Sequence, residues 1–361
     1  MKPTQKRVLI MAGGTGGHVF PGLALARYLQ AQGAIVHWMG TEKGLESQLV
    51  PEANIPLHLI SISGLRGKGA KSLLLAPIKI LNAIREAKSI IRTLDPDVVI
   101  GLGGFVSGPG GIASWLIGKP LIIHEQNAKA GLTNKILARF AKRVLSGFPS
   151  AFKSQSKVVF VGNPVRSEIE NLPEPSKRLL PVRMPFRLLV LGGSLGATAL
   201  NTIVPRALQS LNENERPDVI HQTGSKHLTI AKNDYESIGI RANVVPFIKD
   251  MAEAYAWADM VLCRAGALTV AELCAAGLGA IFVPYPFAVD DHQTANADFM
   301  VKKGAAICVQ QAELTPARLA DMIKQFNDLP EKRVNMAQSA YELRKVNVVE
   351  KIFQICQEVW Q

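Results

Sequence analysis

Cysteine is scarce in this 361-residue chain, and the four present, Cys263, Cys274, Cys308 and Cys356, sit in largely apolar stretches. No C-x-x-C pair and no Cys/His spacing suited to a metal occurs. Neither a disulfide framework nor a zinc module is expected, and the thiols read as reduced core residues. Long apolar runs are missing too. The opening MKPTQKRVLIMAGGTGG sets basic residues before an apolar run of about six residues ending in glycines, too short for a signal-peptide core. The longest uncharged stretch, 98–118, contains seven glycines and a proline, which favours a strand, a glycine loop and a helix over a membrane span. A soluble or peripheral protein is expected. Charged residues are only 19% of the chain against 48% hydrophobic, so a disordered or acidic solvating chain is excluded: there is ample apolar surface to bury.

Acidic residues are missing unevenly. Residues 1–165 hold 20 basic and 7 acidic side chains, a net +13, whereas 166–361 hold 21 and 22, a net −1. The whole excess of a chain with net charge +12 therefore belongs to its first half. Such a half suits an anionic partner, whether nucleic acid, a phosphate-bearing substrate or a lipid surface.

What is present begins with a repeat at an offset of 180 residues. RVLIMAGGTG at 7–16 and RLLVLGGSLG at 187–196 are each an apolar strand running into a glycine loop and then a helix. Short Val/Ile/Leu-rich strands alternate with helical stretches after both, which indicates parallel sheets covered on two faces. The expected fold class is α/β, with two doubly wound Rossmann-like domains. The first spans 1–163, with a C-terminal helix at about 344–361 free to pack back on it. A Pro-rich linker follows at 164–186, and the second domain covers 187–343.

Doubly wound sheets bind ligands at the carboxyl ends of their strands, and the polar motifs fall there. Three glycine loops, 13–17, 101–104 and 192–196, follow strands, where backbone N–H groups can meet phosphate. The first of them matches neither the dinucleotide nor the P-loop fingerprint. His18 follows the first loop at a helix N-terminus, whose dipole disfavours imidazolium and leaves a neutral ring able to accept a proton. His124-Glu125-Gln126-Asn127 directly follows an apolar strand. In the second half, Arg264 to Glu272 is again a strand end entering a helix, with Glu272 read either as a helix-dipole partner or as an acceptor for ribose hydroxyls. Asp290-Asp291-His292-Gln293 follows the next strand. Asp95-Pro96-Asp97 has the form of a metal-holding Asp-x-Asp but precedes its strand, so it reads as a turn.

Taken in order, GGTGGH, GGFxSGP at 103–109, HEQN at 124–127, GNPVR at 162–166, GGSxGA at 192–197, HQTG at 221–224, CRAGALTVAE at 263–272 and DDHQTxNA at 290–297 resemble the MurG family. The resemblance covers nearly the whole chain. It implies the glycosyltransferase B arrangement, two Rossmann-like domains facing a central cleft. The implied activity is transfer of N-acetylglucosamine from UDP-N-acetylglucosamine to undecaprenyl-diphospho-N-acetylmuramoyl pentapeptide. By matching motif it places Thr15, Gly16, Gly17 and Asn127 near the donor sugar, and Arg166 and Ser194 near the nucleotide and diphosphate. It places Ile248 at the uracil, Ala267, Leu268, Thr269, Val270, Ala271 and Glu272 along diphosphate and ribose, and Gln293 at the sugar. Leu195 stands where the family often has a polar residue, and Gly279 where it often has proline; neither removes an implied side-chain contact.

The implied chemistry needs a base for the attacking hydroxyl and positive potential for departing UDP. His18 is the expected base and Glu125 the alternative; no metal and no cofactor are expected. Basic residues of 64–93, namely Arg66, Lys68, Lys71, Lys79, Arg85, Lys88 and Arg92, interleave with leucines and isoleucines. Lys135, Arg139 and Lys142 are spaced to share one helix face. Apolar residues beside lysines suit an anionic membrane surface, so peripheral attachment to the cytoplasmic face of the bacterial inner membrane is expected. Nucleic acid is not an expected partner, because 64–93 lacks the aromatic residues that stack on bases. The competing readings are a nucleotide-sugar-binding adapter and a UDP-sugar epimerase on a related fold.

Overall fold

The computed structural model describes residues 5–62, 75–153, 155–193 and 196–360. The chain divides into two units, one of Met1–Pro164 with Asn347–Gln361 and one of Val165–Val346. In the first unit the strands are β1 (Arg7–Ala12), β2 (Ile35–Gly40), β3 (Leu57–Leu59), β4 (Val98–Gly103), β5 (Leu121–Glu125), β6 (Arg143–Ser146) and β7 (Val158–Phe160). They form one parallel sheet in the order β3-β2-β1-β4-β5-β6-β7. Its described helices up to Pro164 are α1 (Gly16–Ala31), α2 (Glu46–Glu52), α3 (Ala76–Leu94), α4 (Ser107–Leu116) and α5 (Leu132–Leu137).

The central strands β1 and β4 are apolar and buried, but for Arg7 at the entry of β1, because helices cover both faces. Alternate residues of β1 enter different cores. Val8 and Ile10 pack with Leu25 and Leu29 of α1, while Leu9 and Met11 pack with Ala83, Ala87 and Ile91 of α3. The small residues on α3 let that helix lie close to the sheet, and its opposite face is left to solvent.

The second unit has strands β8 (Arg187–Leu191), β9 (Asp218–Gln222), β10 (Asn243–Val245), β11 (Met260–Cys263), β12 (Gly279–Phe282) and β13 (Ala306–Cys308), all parallel in the order β10-β9-β8-β11-β12-β13. Its α-helices are α6 (Ser167–Glu170), α7 (Pro175–Arg178), α8 (Thr198–Gln209), α9 (Leu228–Ser237), α10 (Met251–Trp257), α11 (Ala267–Ala276), α12 (His292–Val301), α13 (Pro316–Asp328) and α14 (Pro330–Glu342). The chain then returns to the first unit as α15 (Val348–Val359). There Val348, Ile352 and Cys356 join the same core as α1. In each sheet the order reverses beside the first strand, between β1 and β4 and between β8 and β11, and those switch points locate the candidate sites.

Two expectations change. Residues 165–186 are not a free linker but part of the second unit. Prolines keep α6 and α7 short, yet Arg178 anchors the segment by donating to the carbonyls of Tyr255, Ala258, Ala276 and Gly277, where α10 and α11 end with unsatisfied acceptors. Helix α5 also stops at Leu137, so Arg139 and Lys142 lie in the turns before β6 rather than on a helix with Lys135.

Asp95 and Asp97 stand at the amino end of β4. Asp97 accepts from the Arg7 amide at 2.8 Å and from Lys6 Nζ at 3.2 Å, and Asp95 pairs with Lys119 at 2.6 Å. They tie strand entries together on the edge away from the glycine loops. All four cysteines are free thiols.

Candidate active site

At the switch point of the first unit, the loop after β1 and the loop after β4 touch. Gly104 has φ of +81°, and a Cβ there would lie 2.3 Å from the Gly13 carbonyl oxygen, so no side chain fits. Ser107 closes the same corner: its Oγ accepts from the Gly103 amide at 3.0 Å and lies 3.1 Å from the Met11 carbonyl. Helix α1 starts at Gly16 with Thr15 as its N-cap, which places Gly16, Gly17 and His18 in its first turn. The His18 ring has Nδ1 3.5 Å from Thr15 Oγ1, and its other edge lies against Gly103, where a Cβ would come within 2.5 Å of Cδ2. Absence of a side chain at Gly103 is therefore what gives the imidazole its place.

Glu46, which the sequence did not single out, sets the conformation of this loop. Its carboxylate has no solvent exposure and accepts from Gly14 N at 2.8 Å, Thr41 N at 2.9 Å and Thr41 Oγ1 at 2.7 Å. Gly13, Gly40 and Gly44 crowd around it, and a Cβ on any of them would meet the Glu46 side chain. Acidic Glu46 amid these glycines was the available signal.

Beside them, β5 ends in the HEQN cluster. Glu125 is 3% exposed. Its Oε1 accepts from the amide and the Nδ2 of Asn127 at 3.0 and 3.2 Å, and its Oε2 from Gly131 N at 3.0 Å and Asn134 Nδ2 at 2.8 Å. Four donors occupy the four lone-pair sites of a carboxylate. Buried Asn134 is a second residue absent from the sequence reading. His124 is fully buried and donates from Nε2 to the Gly162 carbonyl at 2.9 Å; burial pushes its imidazole pKa down. Gln126 donates to Leu102 O at 2.6 Å, which fixes β5 to the end of β4.

The second unit repeats the plan at its own switch point. The loop after β8 is pinned where Gly192 N donates to Gln222 O at 2.9 Å; Ser194 and Leu195 lie outside the described residues. After β11, Arg264 donates to the carbonyls of Val283 and Pro284 at 2.9 and 3.1 Å and stacks over Tyr285, with 5.6 Å to the ring centroid. Helix α11 then begins with Ala267, so Ala267, Leu268, Thr269, Val270 and Ala271 form its first turns, with Ala267 and Val270 buried and the others half-buried, and Glu272 stands in the second turn. Glu272 Oε1 accepts from Arg166 Nη2 at 3.1 Å and Oε2 from the buried Tyr255 hydroxyl at 3.0 Å. Burial pushes the Glu272 pKa up, and Arg166 and Tyr255 oppose that shift.

Arg166 also lines a cavity of about 290 Å³ with Glu168, Ile169, Lys249, Asp250, Met251 and Ala252. Ile248 adjoins it in sequence, and its amide donates to Gln222 Oε1 at 3.2 Å. Gln293, in the first turn of α12, accepts from Tyr285 N at 2.9 Å. Arg166, Glu272 and Tyr255 are thus joined directly, whereas Gln293 is held by the loop after β12. The arrangement offers backbone donors, cations and one shielded carboxylate, a set suited to a nucleoside diphosphate.

Two Rossmann-like units with sites of this kind define a glycosyltransferase of the B type. Residues 8–146 match the glycosyltransferase family 28 N-terminal domain and 187–352 its C-terminal domain. A UDP-N-acetylglucosamine--N-acetylmuramyl-(pentapeptide) pyrophosphoryl-undecaprenol N-acetylglucosamine transferase of Marinobacter nauticus is 53% identical over 354 residues, 98% of each chain. The protein of the same name from Nitrosococcus oceani is 53% identical over 353 residues, again 98% of each. The crystal structure of Acinetobacter baumannii MurG aligns with a TM-score of 0.83 at 41% identity, covering 98% of this chain and 99% of that one. The chain belongs to the MurG family of glycosyltransferases.

Proposed function

We propose that this chain moves N-acetylglucosamine from UDP-N-acetylglucosamine to the 4-hydroxyl of N-acetylmuramic acid in undecaprenyl-diphospho-N-acetylmuramoyl pentapeptide, with inversion at C1, the lipid I to lipid II step of peptidoglycan synthesis. The observation that carries this reading is 53% identity sustained over 98% of both chains to a relative so named. Incubation with labelled UDP-N-acetylglucosamine and a lipid-linked muramoyl-pentapeptide acceptor should put label on the lipid. Recovery of an epimerised nucleotide sugar, or donor binding with no transfer to a competent acceptor, would sink it.

In this reading His18 takes the proton of the attacking hydroxyl, and Thr15, Gly16, Gly17, Asn127 and Gln293 contact the transferred sugar. Arg166, Ser194 and the amino end of α11 offset the charge of departing UDP, Ile248 meets the uracil, and Glu272 accepts from the ribose. Glu125 is assigned a different part from His18. With four donors on its two oxygens it has no lone pair to offer an incoming hydroxyl, so it orients Asn127 and the turn to Asn134. His18→Ala should lower turnover by about 10²- to 10⁴-fold with UDP affinity retained. Near-normal turnover would reject His18 as the base.

The acceptor is lipid-linked in this reading, and the first unit has a surface suited to a bilayer. With its returning segment that unit carries 21 basic and 9 acidic residues, against 20 and 20 in the second. On α3, α4 and α5 the side chains of Ile78, Leu81, Trp115, Leu116, Leu132 and Ile136 are exposed, and Lys79, Arg85 and Lys135 are exposed on the same helices. Arg66, Lys68 and Lys71 lie outside the described residues. No described helix is long and apolar enough to cross a membrane. We assign this surface to peripheral attachment on the anionic cytoplasmic leaflet, where each basic residue contributes about 1 kcal/mol.

A further inference from the structure

Helices α6, α10 and α11 pack on one another, and the carboxylate between them has two unlike partners. Tyr255 on α10 is fully buried, with no freedom to leave. Arg166, just before α6, has 41% of its side chain exposed, whereas Glu272 has 16%. One hydrogen bond to Glu272 is therefore fixed by packing, and the other is made by a side chain that can swing out.

The donor brings a diphosphate with two negative charges close to the cavity that Arg166 lines. Charge that Arg166 gives to phosphate is withdrawn from Glu272, and burial then favours the neutral acid. A protonated Glu272 would offer the ribose hydroxyls a poorer acceptor. Something must hold the ionised form in place after Arg166 turns away. We propose that Tyr255 is a positioning residue for donor binding: its hydroxyl holds Glu272 Oε2 while Oε1 exchanges Arg166 for the ribose of a nucleoside diphosphate.

The proposal rests on the placement of Glu272 at the ribose. The groups facing Glu272 are Arg166, Tyr255 and the Cys263 thiol at the end of β11, which burial keeps neutral; Glu168, Lys249 and Asp250 share the cavity with Arg166. Of these, Tyr255 is the fixed donor to the carboxylate.

The test uses the full chain, with UDP and 2′-deoxy-UDP as probes in calorimetry and the donor in steady-state kinetics. Tyr255→Phe should weaken UDP binding about 10-fold, the worth of one hydrogen bond to a charged group, and should narrow the preference for UDP over 2′-deoxy-UDP. Donor KM should rise with kcat little changed. The acid limb of the KM profile should move to higher pH, because the carboxylate has lost a group that favours its ionised form. A merely structural role would lower the melting temperature without moving that limb or the deoxy preference, and that result overturns the proposal. Glu272→Gln separates the layers: a wild-type preference for UDP over 2′-deoxy-UDP in that variant would instead overturn the ribose placement. If Tyr255→Phe is too unstable to assay, uniform 3-fluorotyrosine, a stronger donor, should move the acid limb of the folded protein to lower pH. No movement would count against Tyr255.

Discussion

At Glu46 a carboxylate wholly removed from water is stable because three donors surround it, and those donors belong to the glycine loop and to Thr41. Replacing it by Ala leaves buried amides unpaired, so Glu46→Ala should cost about 2–4 kcal/mol of stability, read from urea unfolding, and should lower turnover by loosening the loop beside His18. Unchanged turnover in folded variant would separate the loop from catalysis. His221 tells of pH. Its ring is buried between Tyr235 and Asn201, at 3.0 and 3.1 Å, and burial pushes its pKa down from 6.5 to about 4. The unfolded chain therefore binds the extra proton first as pH falls. Stability present above pH 6.5 should be lost progressively towards pH 4, by up to about 3 kcal/mol, and His221→Gln should flatten that decline in urea midpoints. Residues such as His18, Asn127 and Glu272 were legible because each stands in a motif at a strand end. Asn134 and Tyr255 were not, because their partners lie 9 and 17 residues away and only the fold brings them within reach, and Glu46 was missed because its link to the glycine loop, Gly14, is 32 residues distant although Thr41 is near.

Among the elements, those whose sequence pattern is set by local burial were readable. Strands buried on both faces announce themselves as apolar runs ending in glycine, and the repeat between 7–16 and 187–196 maps onto β1 and β8, the first strand of each sheet. Proline content misled at 164–186. It reports where long helices cannot form, and says nothing of whether a segment packs, which Arg178 decides through four carbonyls. The surface of α3, α4 and α5 carries an element-scale prediction. Reversing Lys79 and Lys135 to Glu should weaken binding to vesicles rich in phosphatidylglycerol by about 10-fold or more and leave activity on a water-soluble acceptor analogue intact. Equal binding of the parent protein to neutral vesicles in high salt would remove the electrostatic account.

For the whole molecule, net charge is partitioned with the units, and in the proposed reading the near-neutral second unit binds its nucleotide through helix ends and single side chains rather than bulk charge. The first unit is discontinuous. Tyr28 of α1 meets Phe353 of α15 with ring centroids 5.9 Å apart, and Lys6 donates to the Trp360 carbonyl at 3.0 Å. Ile352, fully buried in that contact, should cost about 2–5 kcal/mol when cut to Ala, measurable as early melting of the first unit. The order of synthesis makes this closure a matter of timing. On the ribosome, α15 emerges only after all of the second unit has been made, so the unit that carries His18 waits with one apolar flank of α1 uncovered. The unit to which we assign the membrane surface is thus the last to finish its own core. A chaperone or the bilayer itself would find that flank open during translation and shut afterwards.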